Sequence, residues 1–269
     1  MRKNRGAFWG IVIILAGIIF MLDNLGFLPG TVTAWGLIFS LALILAGVWV
    51  LVGPMFFHGE SVESQQYSIP LEGAASADVR LSHGAGRMEV SALGISSSLL
   101  EGTFGGGVEA RVEREQGAVK AKLRMPHRDW MFGPWPTAAE DYHWRIGLNP
   151  GITLRLRIKT GASENQLDLR DLRVSELSLE TGASATEITL PAQAGYTRAE
   201  IHAGAARVSL RLPDGVAGRI HMNTGLSNRK IDSVRFPISA NGYETPGFDT
   251  APNRAEIFVE AGVGEISIL

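Results

Sequence analysis

Thr160-Gly161-Ala162-Ser163 is the first of several copies of one short motif in residues 154–212. Thr181-Gly182-Ala183-Ser184 and Ala203-Gly204-Ala205-Ala206 follow it, and Thr224-Gly225-Leu226-Ser227 is a further copy just beyond. The steps between the four glycines are 182−161=21, 204−182=22 and 225−204=21 residues. A period near twenty residues is too short for a pair of helices and suits one rung of a β-solenoid.

Alternating apolar residues stand on both sides of each motif copy, as in Leu177-Ser178-Leu179 before Gly182 and Ile188-Thr189-Leu190 after it. Alternation with a period of two is typical of a strand with one buried face. A single rung cannot bury that face alone, so we expect the stack of rungs to be the folding unit. An ordinary antiparallel sandwich with glycine turns stays open as the alternative.

Related copies lie on both sides of the regular stretch. His83-Gly84-Ala85-Gly86 follows alternating apolar residues, 105–107 is a degenerate second copy (106−84=22), and Gly262 belongs to the last copy. We therefore predict a linker over 58–66 and a β-solenoid domain over 67–269. Because the last strand ends the chain, we predict that its truncation exposes a rung. The predicted corner glycines are Gly84, Gly161, Gly182, Gly204, Gly225 and Gly262.

The composition narrows the classes of function. The formal net charge is −2, so no basic field favours nucleic acid, and we expect no nucleic-acid partner. Cysteine is absent, which excludes disulfides, thiol nucleophiles and thiolate metal sites. The 32 glycines and 12 prolines have no collagen period and fit a turn-rich β protein.

The N-terminal residues 1–57 are predicted to form an α-helical transmembrane hairpin. Residues 8–22 and 31–57 carry no charge, and the apolar character of the first run continues, apart from Asp23 and Asn24, to residue 28. Each run is therefore long enough to cross a bilayer, which needs about 20 residues. Arg2, Lys3 and Arg5 precede the first run, so the positive-inside rule predicts a two-pass protein with its N-terminus and β domain in the cytoplasm. A cleavable signal peptide is the alternative, although Asp23-Asn24 interrupts the apolar run before the cleavage site.

One long irregular insertion, residues 125–144, interrupts the β pattern and is rich in aromatic residues. Two interpretations stay open. The loop caps an open end of the solenoid or rests on the bilayer, or it binds a partner through residues that are frequent at interface hot spots. The candidate residues are Trp130, Phe132, Trp135 and Trp144.

No constellation typical of catalysis is found, so we expect a protein that is not an enzyme and has no cofactor or metal. The six histidines are scattered and lack a metal-ligand spacing. His83 and His202 both precede corner glycines, so either they are neighbours along the stack or, as we expect, they are two unrelated surface residues beside turns. Arg155, Arg157 and Lys159 alternate along one strand and place three cations on one face, which is either a solvated face or a contact for acidic lipid headgroups.

The two halves of the chain together resemble a known arrangement. The basic head, the two apolar runs and Asp23-Asn24-Leu25-Gly26 between them look like the LiaI–LiaF-type transmembrane region of bacterial envelope-stress proteins. The Thr-Gly-Ala-Ser units look like the toastrack domain, a β-helix-like domain found at the C-terminus of LiaF-type proteins. The resemblance implies a bacterial membrane protein without enzymatic activity that is connected to two-component signalling. The chain departs from it in having two predicted spans where LiaF-type proteins generally have more.

We therefore expect a membrane protein whose β domain acts as an interaction or scaffold module in envelope-stress signalling. The expected partners are the lipid bilayer and a membrane histidine kinase or another membrane protein. The alternative is an outward-facing structural or adhesive module that binds the cell envelope through its aromatic loop.

Overall fold

The computed structural model describes residues 14, 15, 18, 39–45, 48, 64–94, 96–126, 142–239 and 242–269. The larger of two compact units comprises Val62–His127 and Ala138–Leu269. Its described part contains a single mixed sheet of 13 strands. The all-β character that the sequence predicts for this part of the chain is therefore confirmed.

Six long strands of 15 to 17 residues form the body of this sheet, and shorter strands flank them. The strands are β1 (Ser64–Pro70), β2 (Ser76–Ala92), β3 (Ser98–Gly105), β4 (Glu109–Glu115), β5 (Ala118–Arg124), β6 (His143–Leu148), β7 (Thr153–Asp168), β8 (Arg173–Thr189), β9 (Tyr196–Arg211), β10 (Ala217–Ile231), β11 (Ile238–Ser239), β12 (Gly242–Glu244) and β13 (Arg254–Ile268), with a 3₁₀ turn at Phe248–Thr250.

The six long strands lie parallel in the order β2-β7-β8-β9-β13-β10. Each strand folds back on itself. Four residues, 169–172, join Asp168 to Arg173, and Arg173 pairs with Thr153 at the start of the preceding strand. Five peptide steps span about 17 Å at most, whereas a straight 16-residue strand would be about 50 Å long. The two arms of each strand must therefore approach each other, with the core between them.

The bend lies at the glycine of each repeat, where the alternation of buried residues changes its phase. In β7 the residues Leu154, Leu156 and Ile158 are buried before Gly161, and Ser163 and Leu167 are buried after it. Ala162, directly after the glycine, is exposed. Both arms thus direct their apolar side chains inward, and the corner itself faces the solvent.

The order of the strands departs from the order along the chain at one point. The last strand, β13, lies between β9 and β10 and not at an end of the stack. Charge provides a physical reason, because one glutamate of β13 lies between arginines of both neighbours. Glu256 is in register with Arg198 of β9 and Arg219 of β10. Without β13, these two arginines would face each other directly.

The proposed second copy of the repeat is also corrected. Strand β3 pairs antiparallel with β1 and β6, and Gly106 lies in the turn that follows β3. The apolar-glycine pattern of residues 99–107 therefore belongs to a flanking antiparallel strand and its turn. At the N-terminal boundary, β1 begins at Ser64, inside the predicted linker of residues 58–66.

The predicted transmembrane hairpin lies almost wholly outside the described residues. The residues of the hairpin that the structure describes (14, 15, 18, 39–45 and 48) are helical. Within the described part of the chain, no helix has the length and apolar character needed to cross a membrane.

We predict that Gly161→Ala destabilises the domain by about 1–3 kcal/mol, the usual cost of inserting a methyl group where there is no room. An added Cβ would overlap the carbonyl oxygen of Gly84 on the neighbouring strand. The measurement is urea denaturation of the purified chain.

Gly84→Ala is the matched control, since it changes the same corner at the first strand of the stack. Nothing lies within 4 Å of the Cβ that this change adds. We expect the free energy of unfolding to change by less than about 1 kcal/mol. Equal losses in both variants would contradict the role of close strand approach at the corner.

Candidate interaction surface

The six predicted corner glycines form one column across the stack, each next to the glycine of the neighbouring strand. A Cβ on Gly182 would lie 3.2 Å from the carbonyl oxygen of Gly161, and one on Gly204 would lie 3.0 Å from that of Gly182. The column continues through Gly262, whose Cβ position is 3.0 Å from the carbonyl oxygen of Gly204. Glycine suits these positions because, except at Gly84, the neighbouring main chains leave little or no room for a side chain.

An apolar column runs beside the glycines on the outside of the corner. All six of its residues are exposed, and they grow in size towards β10: Ala85, Ala162, Ala183, Ala205, Val263 and Leu226. We call this column and the glycines the corner strip. With neighbouring strands about 4.8 Å apart, five steps make the strip about 24 Å long.

Polar residues border the corner strip on its other side and are paired with one another. Lys159 Nζ lies 2.7 Å from a carboxylate oxygen of Glu180, and His202 Nδ1 lies 3.0 Å from one of Glu260. Together with Asn223 and four corner glycines they line an open groove of about 890 Å³; the four are Gly182, Gly204, Gly225 and Gly262. The groove thus has a floor of main chain and a wall of paired polar side chains.

The cationic face expected from Arg155, Arg157 and Lys159 does not form a basic patch. Arg157 lies 3.0 Å from Asp78 on the neighbouring strand, and Lys159 contacts Glu180. The column that contains Arg155 alternates in sign along the whole stack: Asp78, Arg155, Glu176, Arg198, Glu256 and Arg219. Exposed pairs contribute little stability each, but their alternation favours this register and order of strands.

The inner side of the corner is stiffened by buried hydrogen bonds between neighbouring rungs. The hydroxyl groups of Thr160 and Thr181 are 3.0 Å apart. Asn165 Nδ2 donates to Thr186 Oγ1 at 2.9 Å and reaches Thr160 Oγ1 at 3.3 Å across the bend. These contacts connect both arms of a rung and two successive rungs, so the strip rests on a rigid support.

The structure separates His83 and His202, and it corrects the expectation that both are surface residues. Strands β7 and β8 lie between them, and only His202 is exposed. His83 is buried, and its ring centroid lies 5.0 Å from that of Trp144. Burial, the largest cause, lowers the pKa of His83 from 6.5 to about 4, and the charge of His143 adds to this effect. The Tyr142 main chain opposes the shift, although it is not in hydrogen-bonding geometry with the ring.

Trp144 is not part of an exposed loop. It lies in β6, is fully buried, and packs edge-on against Phe104 with ring centroids 5.0 Å apart. It therefore fills the core beside β2 and is not accessible to a partner. Trp130, Phe132 and Trp135 lie outside the described residues.

Chemically, this surface offers apolar contact and paired charges. In the described part of the chain, no three histidine or acidic side chains come together as a potential metal site. The corner column was visible in the sequence as an apolar residue after each glycine. The flat strip that it forms was not visible, because it depends on the order of the strands.

These features define a domain of stacked, bent parallel strands with a regular exposed corner. The model for the N-terminal domain of toast_rack, DUF2154, matches residues 57–211, more than half of the 269-residue chain. The chain belongs to this toastrack family.

One solved structure shares the fold over most of both chains. It is a protein from Clostridium sporogenes ATCC 15579 described as a candidate cell adhesion protein, with 20% sequence identity and a TM-score of 0.69. The alignment covers 77% of this chain and 98% of that one. At this identity the likeness establishes the fold alone.

A candidate adhesin from Bacteroides fragilis NCTC 9343 aligns over 78% of this chain and 98% of its own. Its 7% identity and TM-score of 0.26 are too low to support any argument. No curated protein sequence matches the chain.

We predict that His83 makes the domain sensitive to acid. Its pKa is lower in the folded state than in the unfolded state, so the unfolded chain takes up the proton more readily. The contribution of neutral His83 to the free energy of unfolding is fully present above pH 6.5 and is lost as the pH decreases towards 4. The difference of 2.5 pKa units corresponds to about 3 kcal/mol.

The measurement compares the wild type with His83→Leu by urea denaturation at several pH values from 7.5 to 4.5. At pH 7.5 we expect similar stabilities, because an apolar side chain replaces a buried ring that has no hydrogen bonds. Towards pH 4.5 the variant should become the more stable protein by an increasing margin. A difference that does not change with pH would contradict the assignment.

Proposed function

We propose that this chain is a non-enzymatic, membrane-anchored protein whose β-solenoid-like toastrack domain binds a partner protein through the corner strip. We further propose that it regulates envelope-stress signalling, with a membrane histidine kinase as the partner. The observation that carries the proposal is the strip itself, a rigid apolar surface whose neighbouring polar side chains are already paired.

The geometry of the corner strip suits recognition of a protein surface. Protein interfaces combine an apolar centre with a polar rim. Here the side chains of Ala183, Ala205 and Val263 are exposed, and the Lys159–Glu180 and His202–Glu260 pairs border them. Because the buried threonine and asparagine contacts fix the strip, little conformational entropy is lost when a partner binds.

The membrane anchor is proposed from the N-terminal sequence. Residues 31–57 carry no charge. Among the described helical residues of this region, Phe39, Leu41 and Leu45 are 57%, 54% and 59% exposed. Large apolar side chains on an exposed helical surface are suited to lipid or to a partner helix. The basic N-terminal residues favour a cytoplasmic location for both the N-terminus and the β domain.

An adhesive module on the outside of the cell is the second candidate. It is favoured by the fold that the chain shares with the candidate cell adhesion protein of Clostridium sporogenes. In that role the same strip would face the envelope, and the toastrack domain would lie beyond the membrane.

The location of the domain separates the two candidates. The chain contains no cysteine, so Ala183→Cys introduces a single reporter at an exposed position of the strip. Intact cells and lysed cells are treated with a membrane-impermeant maleimide, and the cysteine-free wild type gives the background. We expect labelling only after lysis, because the positive-inside rule places the domain in the cytoplasm. Labelling of intact cells would exclude the signalling role and favour adhesion.

A further inference from the structure

The stack has one end that is left open in the described part of the chain. At the β2 end, β5 pairs with the first arm and β6 with the second. At the β10 end, β12 pairs with the first arm at Arg219 and Ile220. The second arm of β10, residues 226–231, pairs with β13 on one side and with no described strand on the other. Its outer main-chain groups thus form a free strand edge.

Exposed apolar side chains are concentrated at this same end. The most exposed large apolar residues of the described chain are Val234 at 92%, Leu226 at 85% and Ile238 at 80%. Leu226 lies in β10, Val234 follows β10, and Ile238 lies in β11, the last strand of the sheet at this end. A free edge beside exposed apolar residues is suited to the addition of another strand.

The charges on the open edge indicate what kind of strand would fit. Residues 223–231 contain Arg229 and Lys230 and no acidic residue. Lys230 shares Glu265 with Arg207, at 2.9 Å and 3.5 Å respectively. Arg229 is exposed and has no ion pair among the described residues. A strand added here would meet cations that the stack itself leaves incompletely neutralised.

Arg229 also occupies a position that is apolar in the neighbouring rungs. Its partners in register are Ile266 of β13 and, beyond it, Val208 of β9, and both are buried. An inward-directed charge on an edge strand prevents pairing with most apolar strands. It also opposes pairing of two copies through this edge, since each copy would bring the same two cations and no acid.

We propose that the second arm of β10 is a docking site for an extended acidic segment of a partner protein, which adds as a further strand. Consecutive strand residues point to opposite faces. Two adjacent acidic residues would therefore reach Arg229 on the inner face and Lys230 on the outer face. An apolar residue two positions away from the first acid would cover Ile231, which is half-buried at the end of a buried core column. This site is distinct from most of the corner strip and does not depend on the signalling role.

The test uses the full chain, purified in a non-ionic detergent, and a fluorescein-labelled peptide of about ten residues, a usual strand length. The peptide alternates Thr and Val around a central Glu-Glu pair, and a matched peptide has Lys-Lys at the centre. Fluorescence anisotropy is expected to show binding of the Glu-Glu peptide and at least about tenfold weaker binding of the Lys-Lys peptide.

Arg229→Glu is expected to weaken binding of the Glu-Glu peptide by about tenfold and to strengthen binding of the Lys-Lys peptide. Lys230→Glu, a second variant on the outer face, should shift the preference in the same direction. Arg173→Glu is the matched control, because Arg173 is an exposed cation at the start of β8, within the stack. It should leave both affinities unchanged.

Three results would overturn the proposal. They are the absence of binding by the Glu-Glu peptide, equal binding of both peptides by the wild type, and equal loss in the Arg173 and Arg229 variants. The remaining alternative is that a second copy of this chain occupies the edge, and sedimentation velocity tests it by measuring the oligomeric state. A wild-type dimer that Arg229→Glu or Lys230→Glu changes would identify a second copy of this chain as the occupant of the edge.

Discussion

The fold depends above all on the contact between corner glycines of neighbouring strands. At Gly161, for example, the carbonyl oxygen of Gly84 occupies the space that a side chain would need. This contact lets bent strands stack in register, and the register aligns the remaining columns of side chains across the stack. The buried polar ladder through Thr160 and Thr181, the alternating charges beginning at Asp78, and the exposed apolar strip all follow from it. A side chain at Gly161 would overlap the carbonyl oxygen of Gly84 and push these two strands apart.

The repeat made part of this predictable. Glycines spaced by about 21 residues, each preceded and followed by alternating apolar residues, predict the strands and the aligned corners. The sequence does not predict the insertion of β13 between β9 and β10, because pairing between distant segments leaves no local periodicity. The charges of Glu256, Arg198 and Arg219 explain it only once the partners are known. Trp144 was misplaced for a related reason: aromatic residues suggest either a binding loop or a core, and only its neighbours, Phe104 and His83, distinguish the two.

Two surfaces with different physical character result from this stacking. The corner strip continues along the stack because every rung contributes a glycine and an exposed apolar residue to it. The open second arm of β10 is unique because it is the last rung, and its core position is occupied by Arg229 in place of an apolar residue. A repeat fold thus provides a regular surface along its length and an individual one at its end, and we propose partner binding at both.

The central claim is that the corner residues stack in one column with β13 between β9 and β10, and a pair of double-cysteine variants tests it most directly. Val263 and Leu226 are register partners, whereas Ala205 and Leu226 are separated by β13. Neighbouring strands are about 4.8 Å apart, which permits a disulfide, and strands two positions apart are roughly 10 Å apart, which does not. Because the chain has no other cysteine, mild oxidation should cross-link Val263→Cys with Leu226→Cys and leave Ala205→Cys with Leu226→Cys reduced. A cross-link in the second variant without one in the first would contradict the strand order and the account built on it.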